Sequence, residues 1–86
     1  MTYSVFWSLT ALQTVTALEQ TAADSTRVRA AQDRIDWALR RTPRDLGESR
    51  DPGYRVWYED VLGVYYHVDG DNLRVEGLLA GPARRR

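Results

Sequence analysis

Residues 54–79 contain three short β-prone runs separated by turn-forming residues, and this arrangement restricts the fold more than any other feature of the sequence. β-branched and aromatic side chains dominate the runs, which span 54–59, 63–68 and 73–79. Residues 69–72 read Asp-Gly-Asp-Asn, which is typical of a hairpin turn, and residues 60–62 form a shorter break. The pattern predicts a three-stranded antiparallel meander, with the last strand ended at Gly81-Pro82.

The first half of the chain predicts one strand and two helices. Residues 3–8 are β-prone, and Ser8 or Thr10 is placed to cap a helix whose apolar residues recur at helical spacing. Residues 24–26 read Asp-Ser-Thr, which indicates a break and a second N-cap. The following helix ends before Thr42-Pro43, and residues 43–53 are predicted to form a loop. The expected fold class is α+β: a strand, a two-helix hairpin and a three-stranded antiparallel meander, with the helices packed on one face of the sheet.

Length and composition indicate a small cytoplasmic domain. The chain has 86 residues, so we expect a single domain over 1–86 with a disordered tail at 83–86. No apolar run reaches membrane length, and the N-terminus lacks the layout of a signal peptide. The chain has no cysteine and a single histidine, so neither disulfides nor a zinc site is expected, and no cofactor is predicted.

The charge pattern argues against a generic nucleic-acid-binding protein. Twelve basic and twelve acidic residues give a net charge of zero, whereas such proteins usually carry a positive excess. Every basic residue is arginine, and several arginines cluster between Arg27 and Arg44. Acidic residues are interleaved with this cluster, which predicts a solvated helix face and not a nucleic-acid surface.

Alternation along the strands assigns side chains to the two faces of the predicted sheet. Val64, Tyr66 and Val68 form the apolar set of the middle strand, so they are expected to face the helices while Tyr65 and His67 point away. In the strand before it, the apolar set is Tyr54, Val56 and Tyr58. In the last strand the apolar set is Leu73, Val75, Gly77 and Leu79. The open face is therefore predicted to carry Arg55, Trp57, Tyr65, His67, Arg74 and Glu76; a slip of one residue in any strand would invert its set.

Such an open face has the side chains for binding RNA, because aromatic rings stack on bases and arginines hold phosphates. The expected RNA- or phosphate-binding residues are Arg50, Arg55, Trp57 and Arg74. Cleavage of a phosphodiester also needs proton transfer, and the candidate catalytic residues are Arg55 as the cation with His67 or Tyr65 as the proton-transfer group. The simpler alternative is structural, namely a cation–π pair between Arg55 and Trp57 and a histidine that only packs.

The order of these elements, with particular residues in them, resembles the RelE/ParE superfamily of type II toxin–antitoxin toxins over residues 3–80. The opening strand at 3–8 followed by Ala11 is similar to the start of that family. The helix-to-sheet loop and the glycine–hydrophobe–arginine strand match at Pro43, Leu46, Gly47, Glu48 and Gly53-Tyr54-Arg55. The last two strands match at 63–69 and at Leu73-Arg74-Val75.

The resemblance implies a toxin that is neutralised by a cognate antitoxin. RelE-like members cut messenger RNA in the ribosomal A site without a metal, and ParE-like members inhibit DNA gyrase. Arg55 matches the strand arginine that RelE-like enzymes place on the scissile phosphate. Where those enzymes carry a second arginine or a histidine and then a tyrosine, residues 77–82 read Gly-Leu-Leu-Ala-Gly-Pro. The resemblance therefore leaves open a second function, a catalytically inactive protein-interaction module of the same fold.

Overall fold

A computed structural model of the protein describes residues 2–83. Within these residues, two helices pack on one face of a five-stranded sheet, which confirms the predicted α+β class and the predicted order of strand, helix pair and meander. The elements are β1 (Ser4–Trp7), α1 (Leu9–Thr21), α2 (Ser25–Leu39), β2 (Glu48–Ser49), β3 (Tyr54–Glu59), β4 (Leu62–Asp69) and β5 (Arg74–Pro82).

The strands lie in the order β1-β5-β4-β3-β2 across the sheet. β1 runs parallel to β5, and the other neighbours are antiparallel. The edge strand β2 lies inside the segment predicted to be a loop, so that prediction is wrong at Glu48–Ser49. Two polar residues carry no alternation pattern, and this strand exists only through its pairing with Val56 and Arg55 of β3.

Side-chain caps set the start of both helices. The hydroxyl of Ser8 accepts the backbone N–H of Ala11 at 3.0 Å, so Ser8 and not Thr10 caps α1. The carboxylate of Asp24 accepts the N–H groups of Thr26 and Arg27 and begins α2. These bonds satisfy N–H groups that have no partner within the helix, and residues 24–26 act as the predicted break.

The core lies between the helices and the sheet. The helices contribute Val15, Val28, Ala31, Ile35 and Leu39, and the sheet contributes Leu62, Val64, Tyr66, Val68 and Val75. Tyr3, Val5 and Trp7 pack against this cluster from the edge. The predicted inward set of β4 is therefore confirmed. Burial of these apolar side chains is the main favourable contribution to folding.

The predicted faces of β3 are inverted in the structure. Arg55 lies opposite Tyr66, and Trp57 lies opposite Val64. Directly opposed residues share a face, so Arg55 and Trp57 point toward the helices and not into the open. Glu59, on the same side, accepts a hydrogen bond at 3.0 Å from Arg34 of α2. The apolar set of the strand, which we expected to face the helices, instead lies on the open face: Tyr54, Val56 and Tyr58.

A bulge changes the faces of β5 as well. Tyr65 pairs with Leu79 and Tyr66 pairs with Gly77, so an extra residue intervenes on β5. Val75 and Gly77 remain on the buried side as predicted, but Leu79 moves to the open face and is 52% exposed. β5 also continues through Gly81 to Pro82, beyond its predicted end, because Pro82 is paired with Leu62 at the end of the sheet.

The last described residue is bonded to the rest of the fold. Ala83 donates its backbone N–H to the carbonyl of Val61 at 2.9 Å, so the tail predicted at 83–86 does not begin at Ala83. Residues 84–86 lie outside the described residues. Over residues 2–83, neither helix combines the length and the apolar character needed to cross a membrane.

Candidate functional site: an arginine cleft and an aromatic open face

A cavity of about 320 Å³ opens on the helix-facing side of the sheet, where the loop after α2 crosses β3 and β4. It is lined by Arg44, Ser49, Gly53, Arg55 and Val68, and we call it the arginine cleft. Two guanidinium groups line this cleft, and no carboxylate does. This charge imbalance favours an anionic ligand.

Backbone carbonyls of the loop fix the position of Arg55. Its Nε donates to the carbonyl of Leu46 at 2.7 Å, and its Nη2 donates to the carbonyl of Gly47 at 3.2 Å. The loop comes this close to β3 because residue 47 is glycine. Gly47 has a φ of 65°, and a Cβ atom there would lie 1.9 Å from the carbonyl oxygen of Val56.

Tyr66 holds the same loop from beneath. Its hydroxyl donates to the carbonyl of Pro43 at 2.8 Å and approaches the carbonyl of Leu46 at 3.2 Å. Burial raises the pKa of Tyr66 above the ordinary value, and the positive charge of Arg55 opposes this rise in part. A phenol with a raised pKa that donates to carbonyls is a poor proton acceptor, so Tyr66 supports the loop and does not supply a general base.

Arg44 reaches the cleft over a second glycine. A Cβ atom at Gly70 would lie 1.6 Å from Nη2 of Arg44, so the guanidinium occupies the space that a side chain would fill. Within residues 2–83, Arg44 forms no hydrogen bond and no ion pair. Four other arginines of the same cluster do form ion pairs: Arg27 with Asp60, Arg29 with Glu19, Arg34 with Glu59 and Arg40 with Asp36. The predicted solvated helix face is confirmed for those four, but sequence reasoning missed Arg44.

Arg50 and Trp57 are not arranged as predicted for binding RNA. Nη1 of Arg50 donates to the carboxylate of Glu48 at 2.9 Å, so its charge is already paired on the exposed edge. Trp57 packs against the core, and its indole Nε1 is buried without a hydrogen-bond partner among the described residues. Its ring is therefore not presented on the open face for stacking on a base.

The open face carries an aromatic cluster. Tyr54 stacks on Tyr65 with ring centroids 5.7 Å apart, and the His67 ring lies 4.6 Å from the Tyr54 ring. Tyr65 and His67 therefore lie on the predicted face. Tyr54 also belongs to this cluster, although the sequence predicted that it faces the helices. The inverted faces of β3 place it on the open face.

Arg74 lies at the far side of the same open face. Its guanidinium is 4.3 Å from the centre of the Phe6 ring, a cation–π arrangement across β1 and β5. A smaller depression of about 200 Å³ is lined by His67, Asp69, Arg74 and Glu76. Two carboxylates line it, so this depression is less suited to an anion than the arginine cleft.

The candidate catalytic residues are thus divided between the two sides of the sheet. Arg55 is in the arginine cleft, whereas His67 and Tyr65 are in the aromatic cluster, because β3 places Tyr54 and not Arg55 beside them. A guanidinium and a proton-transfer group must reach the same phosphodiester for acid–base cleavage. The arrangement suits anion binding on one side and stacking or apolar contact on the other.

Comparisons with known proteins agree on the fold. No protein-family model and no curated protein matches the sequence. Among solved structures, the chain is similar to the RelBE2 toxin–antitoxin complex of Mycobacterium tuberculosis, with a TM-score of 0.76, 20% identity, and coverage of 96% of this chain and 100% of that one.

Two further toxin structures are similar over most of their length. The chromosomal ParDE system of P. aeruginosa has a TM-score of 0.66 at 16% identity and covers 95% of this chain and 97% of that one. The isolated E. coli RelE toxin has a TM-score of 0.65 at 16% identity, and the match covers 98% of this chain and 87% of that one. The protein therefore has the fold of RelE/ParE toxins, as the sequence resemblance predicted.

Proposed function

Starting from the RelE/ParE toxin fold, we propose that this chain is the toxin-like component of a type II toxin–antitoxin pair and is neutralised by a cognate antitoxin. The observation that carries the proposal is the structural similarity across nearly the whole chain to RelE and ParE toxin structures, several of which are toxin–antitoxin complexes. Fold alone does not determine activity, so the mode of action is argued from the residues.

Within this function, action by binding is favoured over cleavage of messenger RNA. Arg55 is anchored to Leu46 and Gly47 on one side of the sheet, and His67 stacks near Tyr54 on the other. Residues 77–82 of β5 supply no side chain for proton transfer. Inhibition of DNA gyrase, as in ParE-like toxins, requires binding surfaces and no phosphodiester chemistry by the toxin itself.

Induction of the gene in bacteria tests the toxin function. We expect growth arrest, relief of that arrest when a small candidate antitoxin encoded next to the gene is co-expressed, and co-purification of the two proteins. Arg55→Ala is the matched variant, and it is expected to grow faster than wild type. Unimpaired growth together with no co-purifying product would overturn the proposal.

Plasmid topology separates the modes of action. A gyrase inhibitor is expected to lower negative supercoiling within minutes of induction, before growth stops. The second candidate, an inactive interaction module of the same fold, is favoured by the composition of residues 77–82. An inactive module is expected to co-purify with the candidate antitoxin but to leave growth and supercoiling normal.

A further inference from the structure

We propose that the arginine cleft is a carboxylate-binding site, which takes an acidic side chain or a chain terminus from a protein partner, with Arg44 as the principal donor. Identification of that partner as the antitoxin rests on the proposed function. The preference of the cleft for a carboxylate is independent of that function, because it follows from the residues that line the cleft.

The arginine cleft holds positive charge that no carboxylate among its lining residues balances. Arg44 has no hydrogen bond or ion pair within the described residues and lies against the backbone at Gly70. Arg55 uses Nε and Nη2 on neutral loop carbonyls and lies beside the Tyr66 hydroxyl, so none of these partners neutralises its charge. Arginine binds carboxylates through paired N–H groups, and pre-positioned guanidinium groups lose less freedom on binding.

The dimensions of the cleft limit the size of the anion that it can bind. The cleft holds about 320 Å³ and is lined by only two cations, so it fits one short anionic group. Ser49 and Gly53 both line the cleft, and the chain between them carries the charged residues Arg50 and Asp51. Arg50 is already paired with the carboxylate of Glu48. A nucleic-acid strand would bring a row of phosphates against these carboxylates without a continuous basic track to hold them. A single carboxylate on a protein avoids that repulsion.

Gly70 allows this position of Arg44 because it has no side chain. Gly70 has no positive φ, so alanine is compatible with its backbone, but a Cβ atom would displace the tip of Arg44. Gly70→Ala therefore moves the guanidinium while both arginine charges stay in the protein. Weaker binding by this variant would show that the position of the Arg44 guanidinium matters, and not only the positive charge of the surface.

Nuclear magnetic resonance titration of the purified protein tests the site. The probes are an end-blocked tetra-glutamate peptide, an end-blocked tetra-glutamine peptide and a short single-stranded oligothymidylate at low salt. We expect tetra-glutamate to shift the amide signals of Ser49, Gly53 and Val68 at lower concentration than either other probe. Arg44→Gln should weaken tetra-glutamate binding by roughly tenfold, as expected for loss of charge-assisted hydrogen bonds. Gly70→Ala should weaken it by about threefold.

The matched control is Arg41→Gln. Arg41 also has no ion pair among residues 2–83, and its guanidinium lies over the Trp37 ring and does not line the cleft. Arg41→Gln removes the same charge as Arg44→Gln but outside the cleft, so its affinity for tetra-glutamate should stay close to that of wild type. Equal loss of affinity in Arg41→Gln and Arg44→Gln would overturn the proposal. So would stronger binding of oligothymidylate at these amides, or no shift with any probe. All of these readouts use the isolated protein, so a missing growth phenotype would leave them valid.

Discussion

The two sides of the β3–β4 hairpin hold their polar side chains by different means. On the helix-facing side, Arg55 and Tyr66 bind backbone carbonyls of the loop at 43–47. On the open side, the side chains of Tyr54, Tyr65 and His67 make ring contacts and form no hydrogen bond among the described residues. Hydrogen bonds to a buried backbone are directional and costly to lose, whereas ring contacts near solvent contribute little. The cleft side is therefore expected to be rigid and sensitive to substitution, and the open side is expected to be tolerant.

Gly47→Ala should produce the largest effect. A Cβ atom there meets the Val56 carbonyl, and the φ of 65° is unfavourable for alanine. We expect the free energy of unfolding in urea to fall by about 3 kcal/mol. Gly81→Ala is the matched control, because a Cβ atom at Gly81 meets nothing within 4 Å. A loss of the same size in both variants would show that the loop contact is not the cause.

Tyr66→Phe should rank second. It removes the hydroxyl that donates to Pro43 and Leu46, and we expect a loss of about 1–2 kcal/mol in the free energy of unfolding. Tyr58→Phe is the control, since Tyr58 is 56% exposed on the open face. An unchanged midpoint for Tyr66→Phe would contradict the role of the hydroxyl as an anchor of the loop.

The pH dependence of the same residue gives an independent test. The folded-state pKa of Tyr66 is raised, so between the ordinary pKa of tyrosine and the raised value the folded state keeps a proton that the unfolded state loses. This contribution to stability is complete below about pH 10 and is lost as the pH rises through the folded-state pKa. Wild type should therefore lose more stability than Tyr66→Phe above pH 10. Parallel pH profiles of the two proteins would contradict it.

Arg55→Lys should cost less, about 1 kcal/mol, because the charge remains but one ammonium group cannot reproduce both guanidinium bonds to the loop. Chemical denaturation measures the change. Arg50→Lys, on the exposed edge with Glu48 as its ion-pair partner, is expected to change stability by less than about 0.5 kcal/mol. A larger loss at Arg50 than at Arg55 would reverse the comparison between cleft and edge.

His67→Ala should have a smaller effect than the cleft-side substitutions, about 0.5 kcal/mol, since the His67 side chain has a ring contact and no hydrogen bond among the described residues. Thermal unfolding with and without the substitution checks it. A loss above about 2 kcal/mol would mean that the open side is held as firmly as the cleft side.

The order of elements was predictable because each depends on local signals. Ser8 and Asp24 are capping residues, Pro43 follows the second helix, and residues 69–72 form a turn. The carboxylate of Asp69 accepts hydrogen bonds from Asn72, which lower the pKa of that carboxyl and support the turn. Such signals are contained in a few neighbouring residues, so the sequence alone reveals them.

The site was less predictable because it depends on pairing across the sheet. Both faces of β3 carry aromatic rings, so alternation in the sequence does not decide whether Tyr54 or Arg55 faces the helices. The pairing of Arg55 with Tyr66 of β4 decides it. The bulge that exposes Leu79 has no local signal. The position of Arg44 depends on the absence of a side chain at Gly70, twenty-six positions away in the sequence. In the sequence, a glycine that follows a hairpin aspartate indicates only a turn.

Arg55 lies on the other side of the sheet from His67 and Tyr65, and mapping messenger RNA 5′ ends after induction tests whether this separation holds in function. We expect growth arrest without new cleavage ends, with arrest weakened by Arg55→Ala and kept by His67→Ala. Codon-phased cleavage ends that disappear in both Arg55→Ala and His67→Ala would contradict it, because the two residues would then act on one phosphodiester.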